Sequence, residues 1–265
     1  MENRKSLSAG QETIRCLANL LKHGFFATIK IHCGLSVEKY WITGVLPAFR
    51  DGISPLTATQ IISFDPRYQS LCGFTQDDVN AIVMRALPED KRASTLDYLK
   101  LWYNGYVFSH GSKSPTMYNP QQVFTYLGHI ISGLEPLTRT GEANAVHTGK
   151  ILSLVGKTGA VTIYDLVSML STKVANANVV PEFSFLELMQ AQEERSSSVT
   201  WSLLYYLGVV TYCEDSKFQE GSHTLRVPNY DMDETVSPWN VVLERVLIID
   251  LVPADSRSHN KLSQG

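Results

Sequence analysis

The chain has 265 residues, 44% of them apolar, and a formal net charge of −3. That content can fill one large core or two small ones, and the absence of any lysine or arginine run argues against a general binder of nucleic acid or of membrane surfaces. Four scattered cysteines (Cys16, Cys33, Cys72, Cys213) form no CxxC pair, which points to reduced thiols in an intracellular protein and away from a disulfide scaffold or structural zinc.

The opening MENRKSLSAG has no apolar h-region, so no signal peptide is expected. No run approaches the roughly 18 apolar residues of a membrane span. Ser8 with Gln11 makes a capping box ahead of Ile14, Leu17, Leu21 and Phe25, which fall on one helical face. Lys39 to Thr43 has the pattern of a strand. Thr75 then caps a helix, with Asp78 completing the box, Phe74 and Val79 at the staple positions, and Val79, Ile82, Val83 and Ala86 as the stripe; Pro88 stops it. In LWYNGY the aromatics Trp102, Tyr103 and Tyr106 surround Asn104-Gly105, a turn signal, and are expected to pack a core around that turn.

Asn119 caps the next helix, with Pro120 at its first position, Gln122 completing a box, and Tyr118 and Val123 as the staple. Thr162 repeats the device with Asp165, Val161 and Leu166. Helices over roughly 147–156, 162–173 and 198–207 lead into strands Val209–Cys213 and His223–Val227. Three helices followed by a hairpin is the order of a winged helix. The helix before the wing, TWSLLYYLG, carries no basic residue for a phosphate or a guanine edge, and the wing offers only Lys217 and Arg226. A packing module is therefore expected here, and not a reader of DNA.

Several chemical signatures fail on spacing. Gly156-Lys157-Thr158 looks like the end of a phosphate-binding loop, but the first glycine of G-x-x-x-x-G-K-T would stand at 151, where the chain has Ile151. The loop must also follow a strand, whereas Ile151, Leu152, Leu154 and Val155 are spaced as a helix that Gly156 ends. Val246 to Asp250, VLIID, resembles a Walker B strand, yet Leu251 stands where a catalytic Glu is usual. The seven histidines show no HExxH spacing, and no G-x-S-x-G elbow occurs. Asp231, Asp233 and Glu234 suggest calcium, but the glycine of an EF-hand is replaced by Val236, so a solvated acidic loop is expected. Pro253-Ala254-Asp255 is followed by no Glu-x-Lys, so a PD-(D/E)xK nuclease site is not formed.

Six segments carry a resemblance: YWITGVLP (Tyr40–Pro47), ISFDPRYQSLCGFTQDDV (Ile62–Val79), LKLWYNGYVFS (Leu99–Ser109), MYNPQQVFTYL (Met117–Leu127), SLLYYLGVVTY (Ser202–Tyr212) and HTLRVPN (His223–Asn229). In this order and spacing the chain resembles the AAA-ATPase-like proteins abundant in fungi and some bacteria. That family places a P-loop module first, then a helical lid and a winged-helix-like segment, and often a restriction-type nuclease domain.

The resemblance implies a mainly α fold with a remnant of an α/β P-loop core, a helical lid and a winged-helix-like segment with a short β-hairpin. Residues 1–62 would be the end of the core, 63–140 the lid, 141–232 the winged-helix-like domain and 233–265 a divergent tail. Thr43, at the tip of the expected strand, would be the nucleotide-sensing residue, and no catalytic residue or metal ligand is expected. The implied function is that of a truncated AAA-ATPase-like protein without hydrolysis of its own, acting through protein interaction. Two alternatives stand beside it: a partial subunit lending Thr43 and the lid to a full-length paralogue, and a winged helix that binds a protein partner. No cofactor is expected, ATP and Mg²⁺ entering only if another chain completes the core. Expected partners are a second copy or a paralogue, not a membrane or nucleic acid. The orphaned strand predicts that residues 35–62 are poorly packed in a monomer.

Overall fold

The computed structural model describes residues 9–44, 46–47, 60–109, 115–134, 160–183, 187, 197–214 and 221–236. The fold is mostly helical with one small antiparallel sheet of three strands. The expected helix at 147–156, the Gly156-Lys157-Thr158 sequence and VLIID lie outside the described residues, as does Ser8.

The first helix is described from Ala9 and runs past Phe25 to His32. It is built as α1 (Ala9–Leu20), a π-helical turn (Leu21–Phe26) and α2 (Ala27–His32). The widening falls at Gly24, whose carbonyl accepts the Thr28 hydroxyl at 2.6 Å. A flexible glycine and a hydroxyl bonded back into the ladder are both known causes of local helix distortion. Leu17, Leu21 and Phe25 do share a side of this helix, but all three are exposed. No residue before Leu46 belongs to, or packs on, a buried cluster among the described residues.

The expected strand at Lys39–Thr43 is not formed: residues 39–44 are in neither helix nor strand. A strand exists only through a ladder with a neighbour, and the described strands all lie in the C-terminal sheet. Trp41 and Ile42, on the segment where that strand was expected, are exposed.

The first core is made by α3 (Gln76–Ala86), α4 (Glu89–Tyr103) and α5 (Pro120–Ile131). Thr75 caps α3 as expected, with both halves of the box in place: Asp78 N–H donates to Thr75 Oγ1 at 3.2 Å and Thr75 N–H to Asp78 Oδ2 at 2.9 Å. The hydrogen bonds from Thr75 hold the Asp78 carboxyl below its ordinary range. Thr75→Ala is expected to lower stability by about 1 kcal/mol, read as a shift of the denaturant midpoint at constant slope.

Pro88 ends α3 and at once becomes the residue preceding α4. Helix α4 has a sequence signal that the stop at Pro88 obscures: Glu89 and Asp90 in the first turn, then Thr95, Leu99 and Tyr103 buried at four-residue spacing. Phe74 and Tyr118 exchange backbone hydrogen bonds of 3.1 and 2.8 Å, which sets the starts of α3 and α5 side by side. The four staple residues Phe74, Val79, Tyr118 and Val123 join one cluster with Val83, Leu99, Tyr103, Tyr126 and Leu127.

The second core lies on the sheet. It comprises α6 (Ala160–Thr172), β1 (Val174–Ala177), α7 (Ser197–Tyr206), β2 (Thr211–Tyr212), β3 (His223–Arg226) and α8 (Tyr230–Val236). Helix α6 already includes Ala160, so Thr162 sits within its first turn and is not its N-cap. Lys173, at φ 66°, reverses the chain and bonds its N–H to Met169 O at 2.7 Å, an αL ending normally given to glycine.

The expected hairpin is present as β2 paired with β3, although β2 is trimmed to two residues. A third strand, β1, pairs with the other edge of β3 in the register Val174↔Arg226 to Ala177↔His223, giving the order β1-β3-β2. Its sequence VANA lacks a β-branched run, which is why no strand was predicted there. Helix α7 is buried from Val199 through Tyr205, and its Trp201 and Leu204 meet Ile163, Leu166, Tyr212 and Leu225 in the core.

Candidate functional site

Between the two cores lies a joint. The chain leaves α4 at Tyr103, turns at Asn104-Gly105 with Gly105 N–H donating to Asn104 Oδ1 at 2.7 Å, and enters the second core as Tyr106–Phe108. Val107 is 1% exposed and sits among α6 and α7 side chains. Its N–H donates to Thr211 Oγ1 at 2.7 Å, and the same hydroxyl donates to Val107 O at 2.9 Å, so one side chain replaces a strand's ladder. Tyr205 OH donates to Phe108 O at 3.0 Å. Arg226 closes the turn by donating to Pro228 O at 2.8 Å and to Gly105 O at 2.9 Å. Asn104-Gly105 is thus the passage from one core to the other.

A second tie joins α5 to α8. Gln122 was expected to reach back to the start of its own helix. Instead its Nε2 donates to Asp231 Oδ2 at 2.6 Å, both residues being buried, while Asn119 alone caps α5 through Gln121 N–H and Gln122 N–H at 3.0 and 3.4 Å. The reason is energetic: water can serve a helix end, whereas a buried carboxylate must find its donors within the protein. The acidic stretch at 231–234 is likewise corrected from a solvated loop to part of α8, in which Asp233 pairs with Lys173.

Aromatic rings fill the space around these ties. Tyr98 stacks on Tyr126 with centroids 4.5 Å apart and on Trp102 at 5.3 Å, and Trp102 meets Tyr230 edge-on at 4.7 Å. Burial pushes the Tyr106 hydroxyl up to about 12, and the nearby Asp231 charge adds to it. These groups hydrogen-bond and stack with one another, which makes the joint a rigid coupling. Among the described residues no group of three or more His, Cys, Asp or Glu gathers as a metal site.

Thr43, the expected nucleotide sensor, is exposed on the segment 39–44, which is in neither helix nor strand. The described stretch that ends with this segment carries some of the most exposed large apolar side chains of the described chain. Leu20 is 69% exposed, Ile31 69%, Leu35 80% and Trp41 63%, while no side chain described between Glu12 and Gly44 is buried. This surface is the candidate functional site. Its periodicity was legible in Leu17, Leu21 and Phe25, but periodicity does not say whether a face meets its own core or another molecule. The Gln122–Asp231 and Arg226–Gly105 ties had no local signal at all, since their partners are 109 and 121 residues apart.

Among the described residues no helix is long and apolar enough to cross a membrane. No family model matches the chain, and no solved structure matches it. A protein described as an uncharacterized protein in the vnfD 5' region, from Azotobacter chroococcum mcd 1, is 41% identical over 59 residues. That match covers 22% of this chain and 10% of the relative, so the chain aligns with about a tenth of that protein's length.

Proposed function

We propose that this chain is the part of an AAA-ATPase-like protein that follows the phosphate-binding core, and that it acts through protein contact without hydrolysing ATP by itself. The observation that carries this reading is the exposure of Trp41 and Ile42, together with Leu17 to Leu35, next to a well-filled body. Apolar surface of this extent marks an interaction site. In the resembled family the same residues would lie against the α/β core, so a protein surface is what they fit.

Residues 141–232 are assigned to a winged-helix-like unit, a reading supported by the order α6-β1-α7-β2-β3 and by β3 lying between β1 and β2. Its helix α7 is enclosed from Val199 to Tyr205, and an enclosed helix cannot enter a DNA groove. The unit therefore serves packing and protein contact. A second reading gives Thr43 to a paralogue's nucleotide, and it is favoured by one fact: Thr43 shares the exposed segment with Trp41 and Ile42, so any partner docked there meets its hydroxyl.

Calorimetric titration of the chain with ATP and Mg²⁺ is expected to show no heat of binding. Micromolar affinity that disappears in Lys157→Ala would overturn the proposal. The second reading predicts that Thr43→Ala slows hydrolysis by a mixed complex with a P-loop-bearing paralogue and leaves complex formation unchanged.

A further inference from the structure

We infer that α8 is a strap that lifts from its seat on α4 and α5 by itself, ahead of the unfolding of either core, and so uncovers Trp102 and Gln122. This goes beyond the protein-contact reading and holds whatever docks on the N-terminal surface. The two ties described above differ in how completely they are satisfied. In the first, Val107 N–H and O both meet the Thr211 hydroxyl, Phe108 O takes the Tyr205 hydroxyl, and Gly105 O and Pro228 O take Arg226. Around α8 the accounting does not close. Gln122, 7% exposed, gives its Nε2 to Asp231 and leaves its buried Oε1 without a donor. Tyr98 OH is buried near the Tyr103 hydroxyl and the Asp231 charge, and it completes a hydrogen bond with neither. Asn229 caps α8 by accepting Met232 N–H at 3.1 Å, while its Nδ2 is buried near Tyr106 without an acceptor.

These three atoms belong to α4, α5 and the cap of α8, the elements that the seating of α8 brings together. A buried polar atom without a partner is unfavourable, and water relieves it as soon as α8 lifts. Seating therefore works against itself at the polar atoms and is held by a few other contacts. Val236, 0% exposed, and Met232 pack on the second core, and Tyr230 meets Trp102 edge-on. The pair of Lys173 with Asp233 is open to solvent and contributes little. A helix of seven residues is too short to persist without tertiary support, so lifting and unwinding are one step. Such an element belongs at the low-stability end of a structure, where local opening precedes global unfolding.

Native-state hydrogen exchange of the full chain tests this at two amides. Asp233 N–H, bonded to Asn229 O at 3.0 Å within α8, is expected to exchange through an opening about a hundredfold more frequent than the one that frees Val107 N–H. The Asp233 opening should also depend little on denaturant, because it exposes little surface. Tyr98→Phe keeps the stacked ring and removes only the hydroxyl, so it should make the Asp233 opening about tenfold rarer and raise the denaturant midpoint of the whole chain. Fraying of a short helix by itself would not respond to a hydroxyl on α4. Equal opening at Asp233 and Val107 overturns the inference, as does an Asp233 opening that Tyr98→Phe leaves unchanged or makes more frequent. A lowered midpoint in Tyr98→Phe overturns it too, since the hydroxyl would then be served while α8 is seated.

Discussion

Gly105→Ala is expected to destabilise the protein by about 4 kcal/mol. Gly105 has φ 114°, a conformation that costs an L-residue roughly 1–3 kcal/mol. A Cβ built there would stand 2.0 Å from the Pro228 carbonyl oxygen, which is backbone and cannot swing aside. One strand of the joint must therefore move, and the Arg226 hydrogen bonds to Gly105 O and Pro228 O are lost or lengthened, at about 1 kcal/mol each. Denaturant unfolding measures this directly as a lowered midpoint. A variant within about 1 kcal/mol of the parent would show that the joint bends freely and that the close approach of Gly105 to Pro228 is not a constraint.

The second large effect belongs to Thr211→Val, a change of nearly equal shape that removes only the hydroxyl. Thr211 is 1% exposed, and its Oγ1 is both the acceptor for Val107 N–H and the donor to Val107 O. Without it two buried backbone groups lose their partner, at about 1–3 kcal/mol for each, so a loss of about 3 kcal/mol is expected. Thr211→Ser keeps the hydroxyl and should lose only about 1 kcal/mol, for the missing methyl group. Equal losses in the two variants would mean that packing, and not the hydrogen-bond pair, accounts for the effect. Fluorescence and far-UV circular dichroism should give coincident transitions in the parent, because the joint makes the two cores unfold together.

What the sequence made legible was local. The Thr75 cap with Asp78 and the Asn119 cap with Pro120 are decided by residues within one turn, and both helices form where those signals place them. The hairpin of β2 and β3 was visible in its apolar runs, but β1 was not, since VANA is a strand only because Leu225 and its neighbours offer it an edge. Gln122 is the clearest failure. By spacing it belongs to a capping box, and the competing acceptor is Asp231, whose approach depends on where α8 comes to rest. The candidate surface was half legible. Leu17, Leu21 and Phe25 announced an apolar face without saying what would cover it, whereas the orphaned strand at Trp41 and Ile42 carried the expectation of a poorly packed segment.

The joint also sets an order of events during synthesis. Helices α3, α4 and α5 span residues 76–131 and can pack on one another as soon as they leave the ribosome. The segment that follows α4 cannot settle then, because the hydroxyl that serves Val107 belongs to Thr211, 104 residues later. At about 5–20 residues per second the Val107 backbone waits on the order of 5–20 s for its partner. A slowly translated message would lengthen that interval, during which Val107 and Phe108, whose backbone partners Thr211 and Tyr205 are still to come, form an unclaimed edge beside an already folded helical unit. Chaperone capture of ribosome-bound chains should therefore peak before residue 211 is made and fall once β2 and β3 have emerged.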